Sequence, residues 1–233
     1  MNKLIQQAHE LFKDCGFPYF ICGGFALDMF VGRELRPHGD FDVSVFKEDK
    51  RDAVKFLQDN GWPVYARFFD PDKPETMKEF YLIADPSDSR WDNCENMWAV
   101  KPGSFADMHL KEGKADVYTY KITEPRLQAF DFIELSFNTQ ADNCFVYDEN
   151  PNIALGLDKA ILYRDNVPYM APELVLFLKS HPFYSTHEYQ IPKTNFDFKA
   201  VLPLLPDESR QWLISSLEKA YPDGYDWLKN FGI

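Results

Sequence analysis

The stretch GGFALDMFVGRELRPHGDFDV, residues 23–43, contains the most informative pattern in the chain. It begins with a glycine pair, continues with a short apolar segment that Gly32 closes, and ends in a strand. From Asp40 to Phe46 the residues alternate strictly, so that one strand face carries Phe41, Val43 and Val45 and the other carries Asp40, Asp42 and Ser44. The pattern predicts a turn, a helix and a half-buried strand with two carboxylates on its polar face.

The glycine pair and the aspartate pair have complementary chemistry. Gly23 and Gly24 ahead of a helix let a phosphate approach the backbone, where the first N–H groups of the helix point at it. Asp40 and Asp42 project from the same strand face about 7 Å apart along the strand. Magnesium prefers oxygen ligands and completes its shell with substrate phosphates. Solvated carboxylates on an exposed strand are the alternative, but the glycine pair at this distance favours a metal site.

The charge balance narrows the choice of partners. With 25 Lys and Arg against 37 Asp and Glu, the net charge of the 233-residue chain is −12. A composition of 45% hydrophobic and 16% aromatic residues is that of a folded chain rather than a disordered one. The acidity argues against a nucleic-acid partner and against binding to an anionic membrane. A cationic small molecule is the more natural partner, although acidity also serves solubility.

The rest of the chain predicts a soluble cytoplasmic protein. Residues 1–11 lack the apolar core of a signal peptide, and no apolar run approaches the roughly 20 residues of a membrane span. Four scattered cysteines with no CxxC pair indicate reduced thiols. They are Cys15, Cys22, Cys94 and Cys144.

Hydrophobic periodicity predicts an α/β, or α+β, organisation that changes near Pro168. A first helix covers residues 4–12, and a helix follows over residues 50–60. Short strands alternate with loops from residue 62 to residue 147, and Asn195–Leu205 and Ser209–Tyr221 are helical near the C-terminus. We therefore predict one domain over residues 1–167 with a mixed sheet, followed by a helical bundle over residues 168–233.

The sequence resembles the nucleotidyltransferase superfamily typified by DNA polymerase beta, whose motif is a Gly-Gly or Gly-Ser turn followed by hydrophobic-Asp-x-Asp-hydrophobic. GGFALDMFVGRELRPHGDFDV is most similar to the branch that modifies aminoglycoside and lincosamide antibiotics. Two weaker matches are Tyr169–Glu173, which precedes an apolar helix, and Asp197–Leu205. The resemblance implies a polymerase-beta-like domain with a mixed sheet and a C-terminal helical region.

The resemblance also implies roles for particular residues. Asp40 and Asp42 would hold metal, and a third carboxylate on a neighbouring strand would join them and help to take a hydroxyl proton. Glu134, in the alternating segment FIELSF, is the preferred third carboxylate, and Asp116 is its rival. The residues assigned to nucleotide binding are Gly23, Gly24, Arg36, His38 and Lys179. Asp28 is expected to have a structural role, such as fixing the loop that follows its helix.

The implied reaction is magnesium-dependent transfer of AMP from ATP to a hydroxyl of a small molecule, with two magnesium ions. Because the chain is acidic, a polycationic aminoglycoside-type antibiotic is the favoured acceptor and a lincosamide comes second. A toxin-like nucleotidyltransferase that acts on tRNA or protein, and a non-catalytic nucleotide-binding protein, are the alternatives from other classes. The sequence leaves the oligomeric state open.

Overall fold

The computed structural model describes residues 2–67, 78–94, 96–123, 126–182, 184, 188 and 190–232. Within it the chain packs as two compact units. The first consists of Met1–Tyr19 and Pro37–Phe137, and the second of Phe20–Arg36 and Asn138–Ile233. Because the chain passes from one unit to the other three times, the units are not successive segments of sequence. The predicted boundary at residues 167–168 divides the sequence into two domains, whereas these units are groups of segments that pack together. The domain boundary therefore remains a prediction.

The first unit is built on a sheet with two helices. Helix α1 (Lys3–Phe12) buries the apolar positions that recur every three or four residues, and α3 (Lys50–Asp59) does the same. The strands are β2 (Asp42–Phe46), β3 (Val64–Ala66), β4 (Phe80–Leu82), β5 (Asn96–Val100), β6 (Ala106–Leu110), β7 (Val117–Ile122) and β8 (Phe132–Ala141). Their order is β2-β8-β5-β3-β4-β7-β6, and the pairs from β8 to β6 are antiparallel.

The register between β5 and β8 determines which side chains are neighbours. Glu134 lies opposite Trp98, and Ser136 lies opposite Asn96. Since side chains alternate between the two faces of a strand, all four belong to one face of the sheet. On the neighbouring strand β2, the hydroxyl of Ser44 lies 2.7 Å from that of Ser136. Polar side chains from β2, β5 and β8 therefore lie together on this sheet face.

The second unit combines short strands with helices. It contains β1 (Tyr19–Ile21, from Phe20 onward), α2 (Gly23–Val31), the end of β8, β9 (Cys144–Val146), β10 (Ala154–Gly156), α4 (Leu157–Ala160), β11 (Ile161–Arg164), β12 (Val167–Met170), α5 (Pro172–Lys179), α6 (Ile191–Val201) and α7 (Asp207–Ala220). Strand β12 pairs in parallel with β1 and antiparallel with β11. Helix α5 packs against α2, α6 and α7.

The predicted fold class is confirmed: the protein is a mixed α/β structure with parallel and antiparallel strand pairs, and helices follow the last strand. Helix α2 begins at Gly23 itself, with φ +60° there, rather than after a separate turn. Helix α6 covers residues 191–201, earlier than predicted, and Leu202–Leu204 continues as a 3₁₀ turn around Pro203. The first of the short strands predicted between residues 62 and 147 is Val64–Ala66.

Two expectations about the chain as a whole can be compared with the structure. The four cysteines form no disulfide with one another. Among the residues that the structure describes, no helix has the length and apolar character needed to cross a bilayer.

Candidate active site

Three carboxylates of the first unit converge at the start of β2. One ligand oxygen from each of Asp40, Asp42 and Glu134 lies within 4.8 Å of the other two. The backbone explains why they meet: Phe41, which is fully buried between the two aspartates, accepts a hydrogen bond of 2.9 Å at its carbonyl from the N–H of Glu134. The apolar side of the alternating segment is therefore anchored in the core, and its polar side faces Glu134.

The surroundings of Glu134 act on its carboxylate in opposite directions. Burial raises the pKa of Glu134, and the nearby Asp40 carboxylate raises it further. Arg67 and the amide of Asn96 favour the ionised form and counter part of this rise in pKa. The side-chain N–H of Asn96 donates to Oε1 of Glu134 at 2.5 Å. The net effect is a raised pKa, which a cation bound between the carboxylates would oppose.

The donor set of this cluster fits magnesium. All three groups are carboxylates, and oxygen ligands are those that Mg²⁺ prefers over softer metals. In two-metal phosphoryl-transfer sites the ions are about 3.5–4 Å apart and share carboxylate ligands. Three oxygens within 4.8 Å of one another are compatible with that spacing. The cluster can therefore hold the hard cation that the sequence predicts.

Glu134, and not its rival, is the acid beside the aspartate pair. Asp116 is exposed and lies just before β7. In the strand order, β5, β3 and β4 separate β7 from β8. Neighbouring strands are about 4.8 Å apart, so this separation excludes Asp116 from a site on β2 and β8. The metal-binding role of the three carboxylates remains a prediction.

In the second unit, α2 forms directly from the glycine pair. Gly23 has φ +60°, a left-handed conformation that glycine adopts without steric cost, and it opens the helix. The buried Asp28 accepts a hydrogen bond of 2.8 Å from the N–H of Leu35, so it fixes the loop after the helix as expected. Gly32 ends α2 with φ +84°.

Arg36 and Lys179, the two cations predicted to bind phosphate, both form ion pairs with the buried Asp197. Arg36 donates from Nε and Nη2 to the two oxygens of Asp197 at 2.8 and 2.9 Å, and Lys179 Nζ lies 3.1 Å from Asp197 Oδ2. Burial alone would raise the pKa of Asp197, but hydrogen bonds and charge from Arg36 and Lys179 bring it below its ordinary value. The sequence assigned a role to the two cations but none to Asp197, which was named only as the first residue of the Asp197–Leu205 family match.

His38 is in the first unit and is buried, with 6% of its surface exposed. Its carbonyl accepts a hydrogen bond of 3.0 Å from the N–H of Leu127. Of the five residues predicted to bind nucleotide, the structure thus brings Arg36 and Lys179 together within the second unit. The roles of all five remain predictions.

Comparison with known proteins supports the resemblance carried by the motif. The family model described as aminoglycoside-2''-adenylyltransferase matches residues 4–109, a range that includes Gly23, Gly24, Asp40 and Asp42 and ends before Glu134. No protein with a curated description matches the chain in sequence.

Several solved structures are similar in shape at low sequence identity. The antibiotic-resistance factor ANT(2'')-Ia in solution is 12% identical with a TM-score of 0.46, over 94% of this chain and 92% of that one. The lincosamide antibiotic adenylyltransferase LnuA, bound to lincomycin, is 13% identical with a TM-score of 0.45, over 84% and 96%. An antigenic nucleotidyltransferase-like protein from Paracoccidioides brasiliensis is 16% identical with a TM-score of 0.42, over 97% and 90%. At these TM-scores the likeness carries no argument about activity.

The predicted resemblance is thus confirmed where the sequence predicted it most strongly, over the glycine pair and the aspartate strand. Over residues 4–109 this chain resembles the antibiotic-modifying branch of the nucleotidyltransferases.

Proposed function

We propose that the protein transfers AMP from ATP to a hydroxyl group of a small cationic molecule of the aminoglycoside type, with magnesium held by Asp40, Asp42 and Glu134. The observation that carries this proposal is the convergence of three carboxylates within 4.8 Å of one another, two at the start of β2 and one on β8. The transfer of adenylyl rather than another nucleotidyl group rests on the description of the matched family.

In the proposed reaction the acceptor oxygen forms a bond to the α-phosphorus of ATP, and the bond from that phosphorus to pyrophosphate breaks. Bound magnesium would supply stabilisation of the charge that develops on the phosphate oxygens. Asp40 and Asp42 orient the reacting groups, and Glu134 receives the hydroxyl proton. Catalysis of this kind depends on positioning and electrostatics and needs no covalent intermediate.

We assign binding of the nucleotide phosphates to Gly23, Gly24, Arg36, His38 and Lys179, as the family resemblance implies. The ion pairs of Arg36 and Lys179 with Asp197 support one part of this assignment. Arg36, Lys179 and Asp197 together carry a net charge of +1 and are held at fixed distances. A preorganised cationic group of this kind favours a polyanion such as a triphosphate.

The choice of a cationic acceptor rests on electrostatics. A net charge of −12 raises the local concentration of a polycation and speeds its association. A lincosamide, with a single basic amine, gains less from this field than a polycation does. The kcat/KM for an aminoglycoside should therefore fall more steeply as ionic strength rises than the kcat/KM for a neutral acceptor at saturating ATP.

The test is incubation of the protein with α-labelled ATP and magnesium against a panel of aminoglycosides and lincosamides. The expected result is pyrophosphate release together with an acceptor that gains the mass of one AMP. Asp42→Asn should abolish both signals. Asp59→Asn is the matched control because Asp59 is exposed and pairs only with Lys55 four residues away among the ion pairs described. Modification of a cellular RNA or protein, with no antibiotic product, would refute the proposed acceptor.

A further inference from the structure

Two residues with polar side-chain atoms on strand β5 are neighbours of Glu134, and the proposed reaction assigns neither of them a role. Trp98 lies directly opposite Glu134 in the β5–β8 register, and Asn96 lies opposite Ser136. Both belong to the sheet face that carries Glu134. The amide N–H of Asn96 already donates to Oε1 of Glu134 at 2.5 Å.

Two buried polar atoms without hydrogen-bond partners lie on the same two residues of strand β5. The indole N–H of Trp98 and the amide oxygen of Asn96 are shielded from solvent, and neither has a hydrogen-bond partner among the residues that the structure describes. The indole N–H lies near enough to Glu134 to favour its ionised form, but its geometry falls short of a hydrogen bond. An unpaired buried polar group costs about 1–3 kcal/mol, so its retention beside a candidate catalytic acid needs an explanation.

The indole ring of Trp98 is rigidly held. Its ring centroid lies 4.4 Å from that of Phe80 and 4.9 Å from those of Tyr120 and Phe132. Only 8% of the Trp98 surface is exposed. Aromatic packing on three sides fixes the direction of the N–H, because the ring cannot rotate without displacing its neighbours. A donor held in this way can orient a carboxylate.

We propose that Asn96 and Trp98 are positioning residues for Glu134: the amide holds one carboxylate oxygen, and the unpaired indole N–H, fixed beside the carboxylate, becomes its second donor when Glu134 binds the same cation as Asp40 and Asp42. This inference rests on the proposed metal site. Groups that orient a metal ligand in this way change metal affinity or activity roughly 10–100-fold when they are lost.

The experiment measures binding of Mn²⁺, as a magnesium substitute, by calorimetry on the full chain without nucleotide. Asn96→Leu and Trp98→Phe should each weaken Mn²⁺ binding roughly 10-fold or more. Trp91→Phe is the matched control: Trp91 is buried in the same unit, but its indole N–H is already paired, since it donates to the backbone carbonyl of Asp85 at 3.0 Å. It should bind Mn²⁺ as the wild type does.

Two further readouts separate positioning from a general loss of structure. The urea midpoint of Trp98→Phe should stay close to that of Trp91→Phe, since each exchanges one buried indole for a phenyl ring. If Asn96→Leu unfolds, Asn96→Ala replaces it. In AMP transfer, both positioning variants should lower kcat and leave the KM for ATP within about twofold of the wild-type value.

The outcomes distinguish this inference from the proposed function. Folded variants of Asn96 and Trp98 that bind Mn²⁺ like the wild type would overturn the inference even if the wild type transfers AMP. Weakened Mn²⁺ binding in these variants, with no AMP transfer by the wild type to any acceptor, would support the inference and overturn the reaction. A wild type that binds no Mn²⁺ would overturn both.

Discussion

Replacement of Asp197 by Asn should destabilise the protein substantially, because the carboxylate holds two cations in the interior. Its side chain is 1% exposed, and those of Arg36 and Lys179 are 15% and 16% exposed. The substitution keeps the shape of the side chain but removes the negative charge and one acceptor of the bidentate pair. Removal of one partner from a buried ion pair costs about 3–5 kcal/mol. Limited solvent access to the cations relieves part of this cost, so we expect about 3 kcal/mol.

The assays are urea unfolding and thermal unfolding, each followed by circular dichroism at pH 7 and at acidic pH. A change of about 3 kcal/mol corresponds to roughly 6–12 °C in Tm for a chain of this size. Because the pKa of Asp197 is lowered in the folded state, its stabilisation is present at neutral pH and is lost as pH falls through the folded-state pKa. The difference between Asp197→Asn and the wild type should therefore shrink below about pH 4. A difference under about 0.5 kcal/mol at pH 7, the range of an exposed pair such as Asp59 with Lys55, would refute the reasoning.

Two further predictions concern stability. Glu173 is buried on α5, and burial together with the nearby Glu208 raises its pKa, although Ser209 donates a hydrogen bond of 2.7 Å to it. Because the folded-state pKa of Glu173 is raised, ionisation of its carboxyl group destabilises the fold as pH rises through that pKa. Glu173→Gln should therefore have a higher urea midpoint than the wild type at pH 8 and a similar midpoint near pH 4. A lower midpoint at pH 8 would contradict this prediction. Gly32→Ala should cost about 1–2 kcal/mol, because φ is +84° and a Cβ would lie 2.8 Å from Arg164 Nη2. Gly16→Ala, with the same φ but nothing within 4 Å, should cost less in the same unfolding assay, and equal costs would argue against a steric contribution.

The strand faces that carry the three carboxylates could be predicted from the sequence. Alternation over residues 40–46 identifies the strand face with two carboxylates, and alternation in FIELSF places Glu134 on the polar side of β8. Both patterns are short-range consequences of strand geometry. They predict which face a side chain occupies, and the resemblance supplied the expectation that the two strands are neighbours.

The partners of these and other site residues, such as Asp197 and the neighbours of Glu134 on β5, could not be predicted from local sequence patterns. Asp197 contacts Arg36 across 161 positions of sequence, and nothing in the local pattern of either segment specifies that pair. Strand β5 has the sequence NMWAV, in which polar and apolar residues do not alternate, so the sequence reasoning did not predict it. The neighbours of Glu134 depend on the β5–β8 register, which long-range packing determines.

The central claim is that Asp40, Asp42 and Glu134 form the metal centre of a nucleotidyltransferase. The most direct measurement compares Mn²⁺ binding and AMP transfer in the wild type, Glu134→Gln and Asp116→Asn. We expect Glu134→Gln to fold normally, to bind Mn²⁺ at least about 10-fold more weakly and to lose AMP transfer, whereas Asp116→Asn should match the wild type. Full Mn²⁺ binding and full activity in Glu134→Gln, with both lost in Asp116→Asn, would contradict it.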